Sequence, residues 1–289
     1  MPTKREKDET TGRETTGHEW DGIRELDTPL PRWWLYTFYA SIAFAVVYCF
    51  FYPAIPFIHS HTVGLLGYTN RGAVVASISE GTAAQAKYLD RIRTASIEDI
   101  RRDADLQSFA EIGGRAAFNE NCVPCHRSGG AGAKGYPNLA DDDWLWGGKL
   151  ADIQQTITHG VRNADPDSRQ SQMPRFGADG ILNKDQISDV ADFVLSLSKQ
   201  PAPADAVARG AKIFADNCAV CHGDNGTGKQ EVGAKNLANG IWLYGGDKNT
   251  LVDTITYARN SSMPSWGQRL NPTTIKMLAI YVHSLGGGQ

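Results

Sequence analysis

Two Cys-x-x-Cys-His strings, Cys122-Val-Pro-Cys125-His126 and Cys218-Ala-Val-Cys221-His222, constrain this chain more than anything else in it. The chain's own cysteine and histidine frequencies give about 0.002 such strings by chance, and the string reads as c-type haem attachment. Two thiols add across the two vinyl groups of a haem, and the adjacent histidine is then held beneath the iron. A redox Cys-x-x-Cys has no need of a histidine at the next position, and the βαβ pattern that would carry one is missing. A zinc site needs two further ligands at its own spacing, and the remaining cysteine, Cys49, cannot supply both. Cys122, Cys125, Cys218 and Cys221 are therefore expected to bind two covalently attached haem c groups, with His126 and His222 as iron ligands.

The surroundings of the two strings repeat as well. Gly114-Arg-Ala-Ala-Phe118 precedes the first and Gly210-Ala-Lys-Ile-Phe214 the second. Asn138-Leu139 and Trp144-Leu-Trp-Gly-Gly148 follow the first, Asn236-Leu237 and Trp242-Leu-Tyr-Gly-Gly246 the second. Then come Met173-Pro-Arg-Phe-Gly177 and Met263-Pro-Ser-Trp-Gly267. Each copy ends in a helix-periodic apolar run, Ile187 to Leu197 in one and Ile275 to Val282 in the other. Each copy is about 90 residues, a size at which protein alone buries a modest core, so the haem must supply part of it.

Histidine and methionine together fill an iron's axial positions, which suits electron transfer rather than oxygen or peroxide chemistry. Met173 and Met263 stand 51 and 45 residues after the first cysteine of their repeats, each before a proline that holds the backbone extended. They are the expected second ligands. The simple pairing joins Met173 to His126 and Met263 to His222, but spacing equally permits the two loops to be exchanged. Met277, in the final helix, has no repeat counterpart and reads as core. Among the other histidines, His159 sits within a haem domain and is the next candidate ligand, whereas His283 ends the last helix, where a cation is favourable.

Trp33 to Ile58 carries no formally charged side chain. Its first 20 residues would span about 30 Å as a helix, the thickness of a bilayer's hydrocarbon core, before Pro53 and Pro56 stop it. Trp33, Trp34, Tyr36, Tyr48 and Tyr52 suit the two interfaces. Thirty-two mostly polar residues precede the stretch, which argues for a retained anchor over a cleaved leader. Arg13, Arg24 and Arg32 lie on the N-terminal side against Arg71 on the other, which points to a cytoplasmic N-terminus and haem domains on the periplasmic side of a bacterial inner membrane.

The expected order is a cytoplasmic segment (1–32), a transmembrane anchor (33–58), a partly helical connection (59–107), a first haem domain (108–198), a stiff Pro-rich linker (199–203) and a second haem domain (204–289). Residues 83–105 mix arginines with acidic residues and read as a solvated amphipathic helix. Residues 108–198 carry 8 basic and 12 acidic groups, and 204–289 carry 8 and 6. The acidic run Asp141 to Asp143 could steer a basic donor. With a net charge of −3 the chain has no general attraction for nucleic acid.

Each repeat resembles a class I cytochrome c domain, which gives a mainly α fold: one N-terminal transmembrane helix followed by two tandem cytochrome c domains. That resemblance implies that the glycine and aromatic of each first helix pack on an aromatic of the repeat's own last helix: Gly114 and Phe118 on Phe193, Gly210 and Phe214 on Tyr281. Pro29-Leu-Pro-Arg-Trp-Trp-Leu35, Thr37-Phe-Tyr-Ala40, Tyr52-Pro-Ala-Ile-Pro56, His159-Gly-Val-Arg162 and Ser171-Gln-Met173-Pro-Arg-Phe-Gly177 resemble the dihaem subunit III (CcoP/FixP type) of cbb3-type cytochrome c oxidases. The likeness runs from about residue 27 to the C-terminus, with Arg127 standing where the family usually has glycine and Ile55 where it often has Trp. It implies an electron-transfer subunit without catalytic residues of its own. Its partners would be a donor c-type cytochrome, a monohaem c subunit and the haem–copper subunit that reduces oxygen, proton pumping being a property of the complex. A free-standing dihaem carrier, a dihaem enzyme and a gas sensor are the rival readings, and the last two need an iron with an open or displaceable ligand.

Overall fold

The computed structural model describes residues 4–286; residues 1–3 and 287–289, at the ends of the first and last expected segments, lie outside the described residues. The chain forms two units, Met1–Ala84 and Gln85–Gln289.

The first unit opens with a feature that composition did not announce. Strands β1 (Thr15–Trp20) and β2 (Ile23–Leu26) form an antiparallel hairpin. Its two-residue turn is Asp21-Gly22, both at positive φ (51° and 84°), the geometry that matches the twist of the flanking strands. Helix α1 (Arg32–Phe51) follows, with none of its side chains buried against protein. It stops one residue before Tyr52, whose extended backbone (φ −115°, ψ 159°) is what a residue preceding proline requires. The apolar stretch 33–58 is thus helical only to Phe51; beyond Pro53 the chain turns back through a bridge between Pro56 and His61. Among the described residues α1 is the single helix long and apolar enough to cross a membrane.

Helix α2 (Asn70–Thr94) leads to α3 (Ile97–Arg102) and α4 (Ala104–Asn121). Two side-chain caps divide what the sequence suggests is one helix over 83–105. Ser96 accepts from the Asp99 amide at 3.1 Å, and Asp103 accepts from the amides of Asp105 and Leu106, both at 3.1 Å. Nor is the segment merely solvated: Ile92 and Ile100 are fully buried, and Tyr88 stacks on Phe109. The ammonium of Lys276 closes the C-terminal end of α2 by donating to the carbonyls of Ile92, Arg93 and Ala95.

The remaining helices are α5 (Val123–His126), α6 (Leu150–His159), α7 (Lys184–Leu197), α8 (Ala204–Asn217), α9 (Ala219–His222), α10 (Lys248–Tyr257) and α11 (Pro272–Ser284). They build two cores. Phe118, Leu150, Ile153 and Leu278 anchor the first, from α4, α6 and α11. Ile187, Val190, Phe214, Leu251 and Ile255 anchor the second, from α7, α8 and α10.

The expected aromatic pairing is therefore crossed. Phe118 packs on Tyr281 (centroids 5.4 Å, 62°) and Phe193 on Phe214 (5.0 Å, 54°). The glycines cross with them. A Cβ on Gly114 would lie 2.2 Å from the Met277 carbonyl oxygen, and one on Gly210 would lie 2.1 Å from that of Asp189. The cause is the short connection between α7 and α8: helices joined by a few residues fold back on each other as an antiparallel hairpin. Once α7 occupies the face of α8, α11 is left to cover α4. Met277 serves as core, as expected, 8% exposed and lying over Gly113 and Gly114.

Candidate functional site

In each repeat the first helix ends at the first cysteine of the string. The amides of Cys122 and Cys218 donate to the carbonyls of Phe118 and Phe214, both at 2.8 Å, and a single helical turn, α5 or α9, follows. That turn places the two thiols and the histidine on one short arc. The residue after it must take a positive φ: Gly223 does so at 75°, and Arg127 is driven to 61° with ψ 171°, a conformation that L side chains resist. The departure from glycine noted at Arg127 thus carries strain.

The histidines are oriented alike. His126 Nδ1 lies 3.0 Å from the Pro137 carbonyl oxygen, and His222 Nδ1 lies 2.9 Å from that of Lys235. An Nδ1–H that donates to a carbonyl fixes the tautomer and leaves Nε2 with its lone pair for a metal. Burial lowers both imidazole pKa values, which keeps them neutral and able to ligate. Burial also pushes the Cys122 and Cys218 thiols up to about 11, since both face the interior that a haem would share. Equivalent backbone bonds close the loop behind each histidine. Gly132 and Gly228 donate to the carbonyls of His126 and His222 at 2.8 Å, and Leu139 and Leu237 donate to those of Gly130 and Gly226 at 2.7 Å. Two thiols, an oriented imidazole and an apolar wall in each repeat fit a covalently bound haem c.

The methionine loops follow the crossed cores. Met173 packs against the second core, alongside Cys218, and its loop is fastened to α10: Phe176 donates to the Ile255 carbonyl (3.1 Å) and Gly177 to that of Thr256 (3.2 Å). Trp266, three residues after Met263, packs in the first core with Cys122 and donates to the carbonyl of Ile157 in α6 (3.2 Å). Each loop thus joins the core that holds the first cysteine of the other repeat's string.

Residues that the sequence did not mark as ligands hold these loops, Asn163 and Asn260 among them not singled out at all. Val161 and Met263 exchange two backbone bonds (3.0 and 2.9 Å), and Asn163 Nδ2 donates to the Met263 carbonyl at 2.7 Å. In the symmetric position Asn260 accepts from the Met173 amide (3.1 Å) and donates to its carbonyl (3.3 Å). Arg162 spans both loops through the carbonyls of Ser261 (2.7 Å) and Ser171 (3.1 Å). The Arg-Asn pair that follows the same helix in both repeats, at 162–163 and 259–260, was the available signal.

Two other candidates change meaning. His159 turns Nδ1 toward both carboxylate oxygens of Asp165, 3.3 Å from each, so that nitrogen is engaged by a side chain of its own loop. Asp143, read as part of an exposed acidic run, is 12% exposed and forms an ion pair with Lys235 of the second repeat.

Comparison with known proteins agrees along the chain. Residues 12–59 match the family described as the N-terminal domain of cytochrome oxidase-cbb3, FixP; residues 112–198 match cytochrome c; residues 205–282 match cytochrome C oxidase, cbb3-type, subunit III. The Cbb3-type cytochrome c oxidase subunit CcoP of Azospirillum brasilense is 54% identical over 99% of both chains. Subunit FixP of Azorhizobium caulinodans is 56% identical over 96% of this chain and 94% of its own. Subunit FixP of Rhizobium meliloti is 48% identical over 98% and 97%.

Proposed function

Because this chain belongs to the CcoP/FixP family of cbb3-type cytochrome c oxidase subunits, we propose how its residues perform that subunit's electron transfer. Its two cytochrome c domains carry two covalently bound haem c groups, and its partners are the other subunits of the oxidase. Each haem supplies a one-electron Fe(II)/Fe(III) couple.

The chain's own residues then have three tasks. Cys122 and Cys125, and Cys218 and Cys221, tether the two groups through thioethers. His126 and His222 would hold the irons through Nε2, oriented by the carbonyls of Pro137 and Lys235. Met263 would serve the haem tethered beside His126, and Met173 the haem tethered beside His222; the presence of Met173 in the core that includes Cys218, and of Trp266 in the core that includes Cys122, supports this crossed assignment. A histidine and a methionine held by the fold would leave little to reorganise on electron transfer, and no acid, base or nucleophile is needed.

Residues 33–58 anchor the chain once in a bacterial inner membrane, with 1–32 on the cytoplasmic side and 59–107 leading to periplasmic haem segments 108–198 and 204–289, joined by 199–203. The chain would take electrons from a donor c-type cytochrome and pass them to the monohaem subunit, for delivery to the haem–copper subunit where oxygen is reduced. The oriented histidine in both repeats carries this reading. Purification through a tag on this chain in mild detergent, followed by optical and carbon monoxide difference spectra, tests it. Copurifying b-type haem that binds carbon monoxide, with two low-spin c haems that do not, is the expected result. Carbon monoxide on this chain's own haems would overturn the methionine ligation, and two c haems with no partner would overturn the subunit assignment.

A further inference from the structure

The two repeats are nearly symmetric around their histidines, and the break in that symmetry is electrostatic. The carbonyl that accepts from His126 belongs to Pro137, which has no charge; the carbonyl that accepts from His222 belongs to Lys235. Asp143 precedes Trp144 in the first repeat, while the matching position before Trp242 is Ile241. The repeats thus place one cation and one anion where the symmetric positions hold a proline and an isoleucine.

These two charges meet. Lys235 and Asp143 form an ion pair with side chains only 15% and 12% exposed. Lys235 Nζ also donates to the Asn236 carbonyl at 3.0 Å and to Asn239 Oδ1 at 3.2 Å, and Asn239 Nδ2 donates to Asp143 at 2.7 Å. Asp143 is held in turn by an Asx turn, its amide donating to Asp141 Oδ1 at 3.0 Å. The group borders a cavity of about 350 Å³ between the two repeats, whose lining includes Pro137, Trp242 and Tyr244. Neither charge can swing freely into water, so both act at short range and with little screening.

We propose that Lys235 and Asp143 act as a compensating pair on the reduction potential of the haem on Cys218 and Cys221, opposed charges beside the loop that orients His222 whose effects on that potential largely offset each other. Reduction adds one negative charge at the iron. The Lys235 ammonium favours the reduced form and the Asp143 carboxylate the oxidised one, so the wild-type pair nearly cancels and each partner tempers the other. A buried cation and a buried anion thereby sit beside this loop without displacing the potential of its haem, and loss of either one unmasks the other. The inference rests on the haem assignment made above.

The test is spectroelectrochemical titration of the full chain within its complex, in mild detergent, followed at the c-haem absorption. A haem stain of the denatured chain shows that each variant is loaded. Lys235→Gln should lower the potential of one of the two c components, and Asp143→Asn should raise the same component. The change is expected to be severalfold to about tenfold in its reduced-to-oxidised ratio, the latter being about 59 mV for one electron. The double variant should return near the unmodified value, and Lys235→Arg should stay there. A pair that only latched the two loops together would shift both single variants in the same direction. Shifts of the same sign, or a potential that moves in neither variant, overturn the proposal. Absence of haem at Cys218 and Cys221 in the unmodified chain overturns the assignment beneath it instead.

Discussion

The crossed packing of the haem repeats can be measured by coupling between aromatic truncations. Phe118 and Phe214 are 0% and 1% exposed, and each faces an aromatic of the opposite repeat at 5.4 and 5.0 Å between centroids. Truncating a buried Phe to Ala costs about 3–5 kcal/mol through lost transfer energy and the cavity left behind. An edge-oriented aromatic pair contributes about 0.5–1.5 kcal/mol beyond area burial, and that portion is lost only once when both rings go. The pairs Phe118/Tyr281 and Phe193/Phe214 should therefore show coupling of that size in double-mutant cycles. Phe118/Phe193 and Phe214/Tyr281 join different cores, and their effects should add to within about 0.5 kcal/mol. The assay is denaturant unfolding of the haem-loaded chain in detergent, followed by haem absorption and helical ellipticity. The contact of Arg115 with the Tyr281 ring, 5.9 Å from its centroid, is removed equally in the single and double variants and drops out of the cycle. Coupling within each sequence repeat, and none across, would refute the crossed cores and with them the exchange of methionine loops.

Two further outcomes follow from single sites. Arg127→Gly should stabilise the chain by about 1 kcal/mol, because at φ 61° and ψ 171° it relieves strain worth about 1–3 kcal/mol while admitting extra freedom to the unfolded chain; an unchanged or lower unfolding midpoint would contradict this. Asp189 receives two bonds of 2.7 Å from the Arg209 guanidinium, which holds its carboxyl below the usual carboxylate range. Because the folded pKa is depressed, the stabilisation is complete above about pH 4 and disappears as the pH falls through the lower folded value. Asp189→Asn should thus be less stable at neutral pH and lose less between pH 5 and pH 3, and parallel acid-unfolding curves for the two proteins would contradict the linkage.

Sequence alone showed the chemistry of this molecule far better than its packing. Cys-x-x-Cys-His is a local motif, and so is the apolar run that ends at Pro53; both depend on neighbours within a few residues, which a sequence displays directly. The hairpin at Thr15–Leu26 rests equally on a local signal, the Asp21-Gly22 turn, but it lies in a charged segment where no apolar alternation draws attention to it. Ser96 and Asp103 are residue types that cap helices, yet the breaks they make also depend on burial of Ile92 and Ile100 in a core shared with α11, more than 150 residues away in sequence.

Which helix covers which haem is a different kind of question, because the two repeats offer nearly interchangeable surfaces. Gly114 and Gly210 both make room for a close helix, and Phe118 and Phe214 both offer a ring, so residue type cannot choose between α7 and α11. What chooses is chain connectivity: the six residues between Leu197 and Ala204, with Pro201 and Pro203 among them, make the α7–α8 contact the least costly in loop entropy. Crossing has a consequence for electron transfer as well. Each haem string then shares its core with the other repeat's methionine loop, and Val161, Asn163 and Asn260 bond directly across the boundary. Neither haem environment can loosen without disturbing the other, so the relative placement of the two groups is held by backbone hydrogen bonds and packed helices rather than by the stiffness of the linker alone.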